Sequence, residues 1–267
     1  MERMNKKIFS DADGDISSFS ASCLFCGSDH IFPGDNCRVY GQALMEQLAH
    51  TKNIGSDTPG YSDRHRLSTD PLFGPSRGKM FGAMECLAAD GTSRFFKAFS
   101  GQFNGLWLVE GWAPPLFDVD EWTRVNTGPE LAIKALSAEI KACHDDHEGG
   151  KRIQQERKKL SRKLMKDLHA LYRLTNFRGQ TLSLTDLLSQ RTGIPTGTGD
   201  CSAPKLLNFA AINNLVPIGI SEFYWGLENK SADRQHRHFY LPCAEKCRPI
   251  LGFMLCGLDE LYARQRL

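Results

Sequence analysis

The chain has 267 residues, 41% hydrophobic and 24% charged, with a formal net charge of +2 and nine cysteines. Length and balance are those of an ordinary soluble globular protein with one large or two small domains, and a charge so near zero excludes nucleic-acid binding by bulk electrostatics, leaving local clustering as the route. No apolar run nears the roughly 20 residues that span a bilayer, and the start Met1-Glu2-Arg3-Met4 shows no signal peptide, so no membrane partner is expected and the odd cysteine count points to cytoplasmic thiols and metal ligands rather than disulfides.

Residues 1–75 are expected to form a poorly ordered N-terminal segment. The first 30 are rich in Ser and Asp, a composition that buries little apolar surface, and are expected to be mobile up to Cys23. Cys23-x2-Cys26 with His30 and Cys37 has the spacing of a small zinc site; reduced, half-buried thiols are the plainer reading. Arg38 to His50 carries Val39, Ala43, Leu44 and Leu48 at helical spacing, and 51–79 reads as a long loop.

An α/β domain is expected over 76–267, a small sheet flanked by helices. Met80–Leu87 and Arg94–Phe99 flank Asp90-Gly91, a hairpin signal. Residues 101–117 continue with Phe103, Trp107, Leu108, Trp112 and Phe117 and predict another strand. Pro129 is placed in the first turn of a helix running to about Cys143, with Leu131, Ile133, Leu136 and Ile140 on one face. His144, Asp145, Asp146 and His147 read as a polar interhelix turn rather than a metal cluster. A second helix from Lys151 to about Asn176 has the stripe Leu160, Leu164, Leu168 and Leu171. The pair predicts a helical hairpin over 129–176, inserted before a metal-binding half at 193–267.

In that half, Ser183 with Asp186 caps a helix over Leu184–Gln190. Cys201 opens a helix through Ala211, Leu215–Trp225 reads as a strand, and 226–238 is a polar insertion. Pro249 starts the final helix, with Ile250, Leu251, Met254 and Leu255 facing a core.

Cys201, Cys243 and Cys247, with His238 or His236, supply enough ligands for a tetrahedral zinc site. Cys201 stands where a helix begins and the Cys243-x3-Cys247 pair precedes Pro249. Both are helix starts, whose free N–H groups favour thiolate. Buried, unrelated thiols are the plainer reading. Four protein ligands would make the site structural, whereas three plus water would make it catalytic.

The second long helix carries Lys151, Arg152, Arg157, Lys158, Lys159, Arg162, Lys163, Lys166 and Arg173 against Glu156 and Asp167. That density can neutralise phosphates in a salt-dependent way, or form an ordinary solvated face. Lys205, just after the Cys201 helix start, is a further candidate for that surface.

Two resemblances follow. A hairpin, a helix opening on a ligand-type cysteine, a strand and Pro242-Cys243 at the next helix start partly resemble the zinc deaminases, which combine H-x-E with P-C-x-x-C. The chain departs from them in its C-x3-C spacing and in Ala203, which stands where the proton-shuttling glutamate belongs. In that alternative Glu222 is the general acid/base, and the three cysteines hold zinc and a water.

More extensively, Arg77-Gly78-Lys79-Met80-Phe81-Gly82, Ala98-Phe99-Ser100-Gly101 and Ala113-Pro114-Pro115-Leu116-Phe117-Asp118 resemble the long N-terminal region of some bacterial RluA-type pseudouridine synthases. So do the basic run from Glu156, Gly199-Asp200-Cys201, Ser221-Glu222-Phe223-Tyr224-Trp225 and the block from His238 to Leu251. The likeness runs in order over 77–258 and leaves off where that family's catalytic domain begins; no usable His-Arg-Leu-Asp motif is present. It implies a zinc-binding, RNA-associated module in an RNA-modification context, with RNA and a separate synthase as partners, and it favours RNA contact for the basic helix.

Overall fold

The computed structural model describes residues 18–33, 37–55, 65–142, 147–191 and 193–265. Of the stretch expected to be mobile up to Cys23, residues 1–17 lie outside the described residues, as does the turn at 144–146, whereas Ser18–Ser22 is an ordered strand paired with Asp29–Pro33. The mixed α/β class holds: small antiparallel sheets are flanked by helices.

The central sheet has the order β4-β3-β7-β8 and is antiparallel throughout. Its hairpin, β3 (Lys79–Leu87) and β4 (Ser93–Phe99), turns at Asp90-Gly91 as the sequence predicts. There the Asp90 carboxylate accepts from the Thr92 N–H at 3.0 Å, and Gly91 adopts φ +77°. β7 (Val216–Trp225) pairs along the whole of β3, and the short β8 (Phe239–Tyr240) closes the far edge.

Because strand side chains alternate between faces, the sheet feeds two apolar clusters. Phe81, Phe99, Phe223 and Trp225 point to one face, where α1 (Arg38–Thr51) adds Leu44, Met45 and Leu48. Met84, Cys86, Ala98 and Ile220 point to the other, where α5 (Ser202–Ile212) and α6 (Arg248–Leu255) pack. Phe81 and Phe223 stack at 5.8 Å and 16°, a geometry that adds about 0.5–1.5 kcal/mol beyond simple burial.

Elements before residue 75 share these clusters. The ribbon of β1 (Ser18–Ser22) and β2 (Asp29–Pro33) places Ala21, Cys23 and Phe32 in the cluster under α6. The contact is close: a Cβ on Gly252 of α6 would fall on the Ser22 carbonyl and 2.8 Å from the Cys23 nitrogen.

Three boundaries differ from expectation. The stretch 101–117 makes only the isolated bridge Phe103–Leu106; Phe103 and Trp112 wedge under the sheet, and the Trp112 indole N–H donates to the Ile54 carbonyl at 2.8 Å. The helix expected from Pro129 begins earlier, as α2 (Val119–Ala142), with the Asp118 carboxylate accepting from the Glu121 N–H at 2.8 Å. Pro129 sits inside it, where it forfeits one backbone donor, and α2 is held by its partner α3 (His147–His169). Finally, α3 stops well before Asn176. The Asn176 side chain accepts from the N–H groups of Arg178 and Gln180, both at 3.0 Å, and so folds the chain into the hairpin β5 (Arg173–Thr175)–β6 (Thr181–Ser183).

The Ser183 hydroxyl caps α4 (Leu184–Leu187) by accepting from the Asp186 N–H at 3.0 Å, as the sequence predicts. The helix expected from Pro249 is not the last: α6 ends at Leu255, and a further helix, α7 (Leu258–Gln265), follows Gly257 at φ +93°. None of the helices among the described residues is long and apolar enough to cross a membrane.

Candidate metal centres

The turn between β1 and β2 is built around a thiol. The Cys23 N–H donates to the Ser28 carbonyl at 2.8 Å, Gly27 returns an N–H to the Cys23 carbonyl at 2.9 Å with φ +74°, and the Cys26 N–H points at Cys23 Sγ at 3.4 Å. His30, on β2, is buried and faces Cys26 Sγ through Nε2 at 3.2 Å. The fourth group is Cys256, at the break between α6 and α7.

The ligand atoms of Cys23, Cys26, His30 and Cys256 all lie within 4.8 Å of one another, close enough to bind a metal ion. Tetrahedral zinc, with bonds of roughly 2.0–2.3 Å, would place its ligand atoms about 3.3–3.8 Å apart, so the cluster needs only a small contraction. A Cys3His set with all four positions filled by protein has the form of a structural site.

The protonation of this cluster is already biased. Burial opposes charge on Cys26, but the Ser28 N–H, His30, Cys23 and Cys256 outweigh it and bring the thiol down to about 6. Cys256 goes the other way, pushed up to about 12 by burial and by its neighbours Cys26 and Cys23. A cation would remove that conflict by favouring thiolate at every sulfur.

Cys37, expected in this set, is elsewhere. It precedes α1 on the opposite face of the central sheet, its Sγ accepts from the Glu85 N–H at 3.3 Å, and burial pushes it up to about 12. Cys256 takes its place because α6 lies directly on β1.

The structure does bring Cys201, Cys243 and Cys247 together. Cys201 stands at the N-cap position of α5 and Cys247 at that of α6, neither with a side-chain cap bond, and the three thiols are near enough to shift one another's protonation. Cys201 and Cys247 both give their hydrogen bonds to Cys243, which holds it far below the usual thiol range; the backbone N–H groups of Lys246 and Cys247 add to this. Donating to Cys243 and Cys247, with burial added, pushes Cys201 well up. For Cys247, a lowering contact from Cys201 is outweighed by Cys243 and burial, leaving it at about 12.

Neither histidine expected as the fourth ligand is among the hydrogen-bond partners of these thiols. His236 accepts the Gly226 N–H at 3.1 Å and packs its ring against Phe73 and Trp225. His238 is exposed, with Nδ1 3.0 Å from the His236 carbonyl. The polar insertion folds on itself around Asn229, which accepts from the Asp233 and Arg234 N–H groups, and the His236 ring that follows lies against Trp225.

The carboxylate beside this cluster is Glu222. It is buried, pairs in register with Gly82 of β3, and accepts the Ala203 N–H at 2.9 Å. A side chain at 82 would collide with Ser202, so that glycine lets the start of α5 settle onto the sheet. Burial pushes Glu222 up to about 7 against the lowering effect of the Ala203 N–H, and the charge on Cys243 pushes the same way as burial. Ala203 therefore stands where a glutamate was sought, and its backbone holds one that arrives from β7.

The basic side chains of α3 behave as expected in one respect. Lys151, Arg152, Arg157, Lys158, Lys159, Arg162, Lys163 and Lys166 are all exposed, while Leu164 and Leu168 face inward. Lys163 pairs with Asp167 at 2.7 Å. Lys205 does not belong to that surface. It is buried, its ammonium donates to the Phe99 and Gly101 carbonyls at 2.9 and 2.8 Å, and it lies over the Phe99 ring at 4.8 Å.

No family model matches the chain, and no curated protein or solved structure does.

Proposed function

We propose that this protein is a zinc-stabilised, RNA-associated module of an RNA-modification system, working in a reducing compartment alongside a separate modifying enzyme such as a pseudouridine synthase. The observation that carries the metal part is the convergence of Cys23, Cys26, His30 and Cys256, four ligands of the type zinc prefers, from the β1–β2 ribbon and the end of α6. Support for RNA comes from α3, whose exposed cations sit on a two-helix arm packed mainly through its own partner helix. Phosphate contact by such an arm lowers affinity steeply as salt rises.

The test has two arms. Metal analysis of the purified protein should find zinc, and Cys256→Ser should lose one equivalent; a metal-free protein of unchanged stability sinks the zinc claim. Binding of a structured RNA should weaken with salt and with charge reversal at Lys158, Lys159 and Arg162; an affinity unmoved by the triple reversal sinks the RNA claim.

A second reading is favoured by Glu222. Three thiols at two helix starts beside a buried carboxylate have the composition of a zinc deaminase centre. Cys201, Cys243 and Cys247 would hold the ion, which supplies an activated water. Glu222 would take a proton from that water and deliver it to the departing amine, yielding a carbonyl product and ammonia. Release of ammonia from cytosine- or adenine-containing RNA, abolished by Glu222→Gln with zinc retained, is the outcome this reading requires.

A further inference from the structure

Lys79 and Asp200 frame a cleft that neither metal centre uses. Its volume is about 460 Å³, and Trp107, Trp122, Asn104 and Gly101 are among its other lining residues. A cleft of this size holds a small planar molecule rather than a folded partner.

The polar groups in it have spare bonding capacity. The Lys79 ammonium, at the start of β3, has three donors and makes one long bond, 3.3 Å to the Ser100 carbonyl. The Asp200 carboxylate accepts the Tyr172 hydroxyl on Oδ1 at 2.7 Å, and among the described residues no hydrogen bond reaches Oδ2. The two residues feel each other's charge but form no ion pair among the described residues. A donor and an acceptor thus line the same cleft without pairing with one another.

The walls are aromatic. Trp107 and Trp122 meet edge to face at 5.3 Å, and Trp122 is backed by a stacked Phe117 at 5.8 Å. A rigid aromatic wall favours a flat π-system, and base stacking on such side chains is common to single-strand binders. A ligand that stacks there, offers an amine to Asp200 and offers an acceptor to Lys79 has the edge of an amino-bearing nucleobase.

We propose that this cleft is a binding site for one unpaired, amino-bearing nucleobase. The proposal deepens the RNA reading and rests on it for its biological setting. In a bound strand α3 would hold phosphates, and the cleft would receive a base turned out of the stack.

The experiment uses CMP and UMP, a near-isosteric pair in which a ring amine is exchanged for a carbonyl. Each is titrated into the full-length protein, with quenching of tryptophan fluorescence as the signal. CMP should quench saturably and bind at least tenfold more tightly than UMP, since in one shared pose the cytosine amine that faces Asp200 is replaced by a uracil carbonyl, and UMP must shift to turn its N3–H toward the carboxylate. Asp200→Asn should shrink that preference, and Lys79→Met should weaken CMP while circular dichroism stays unchanged. Should Asp200→Asn fail to fold, Trp122→Leu provides the second arm by reducing the quench and the affinity together.

Equal affinity for CMP and UMP, or a CMP preference that survives Asp200→Asn in a folded protein, overturns the proposal. The two levels come apart cleanly. Discrimination between mononucleotides with no salt-dependent RNA binding removes the RNA reading alone. Salt-dependent RNA binding without discrimination removes the cleft alone.

Discussion

His30 meets Asp259 through Nδ1 at 3.1 Å, and its other ring nitrogen is 3.2 Å from Cys26 Sγ. With a cation in the cluster, the carboxylate on Nδ1 would hold the ring proton there and free the Nε2 lone pair for the ion, the usual arrangement behind a metal-binding histidine. Asp259, on α7, is thereby a positioning residue for a site whose other half lies on β1 and β2. Replacing it with Ala should weaken zinc by about 10-fold or more without unfolding the chain. Competition against a chromophoric chelator gives the number, and an unchanged affinity would leave Asp259 as a mere surface contact.

Cysteine exchange separates the two sets of candidates. Cys256→Ser should cost the protein bound zinc, whereas Cys37→Ser should keep the full complement, because Cys37 Sγ is engaged by the Glu85 N–H across the sheet. Metal content measured on both variants decides it; equal loss from both would restore Cys37 to the ligand set.

Gly252 makes a prediction about packing. A methyl there meets the Ser22 carbonyl and the Cys23 nitrogen, both backbone, so neither can swing aside. Gly252→Ala should destabilise the protein by about 1–3 kcal/mol, in the range of other overpacked cores. It should also weaken zinc, since it pushes α6 and Cys256 away from Cys23. Urea unfolding with and without metal reads both effects, and loss of stability with metal affinity intact would uncouple them.

Two thiols outside the metal clusters set a pH dependence. Burial pushes Cys37 and Cys86 up to about 12 from an ordinary 9.0. Both stay neutral in the fold at pH values where the unfolded chain ionises. Their contribution is therefore complete below 9.0 and is lost as pH climbs toward 12, at a rate on the order of 1 kcal/mol per thiol per pH unit. Cys86→Ala opens a small cavity at every pH, so the diagnostic is the gap between wild type and variant in unfolding midpoint. That gap should narrow as pH rises above 9, and a constant gap would count against the assignment.

The local signals in the sequence were accurate where the chain solves its problem locally. The Asp90-Gly91 turn, the Ser183 cap, the α1 helix and the Cys201 helix start all depend on neighbours a few residues away, and all are found. Pro129 misled because its preference for a first turn is weaker than the Asp118 cap upstream and the packing of α2 on α3. The aromatic run at 101–117 has strand composition, but its side chains fill space beneath the sheet instead of extending it.

The metal site was legible only in part. Cys23, Cys26 and His30 share one turn and could be found from spacing, while Cys256 is brought in by the contact of α6 on β1, which no local pattern encodes. Cys37 was the nearest cysteine in sequence, and proximity along the chain proved a poor guide to proximity in space. Glu222 was visible as a charged residue in an otherwise apolar strand. Its hydrogen bond to Ala203 became apparent only once Gly82 was seen to let α5 close on the sheet.

Joining Cys23 to Cys256 also has a meaning in time. A ribosome releases the β1–β2 ribbon with three ligands long before α6 exists, and three ligands leave an ion exchangeable. The fourth thiol arrives only after the whole central sheet has emerged and α6 has docked on β1. An ion held by all four ligands would therefore report that synthesis has passed Cys256 and that α6 has met β1, which a fragment truncated before α6 cannot imitate.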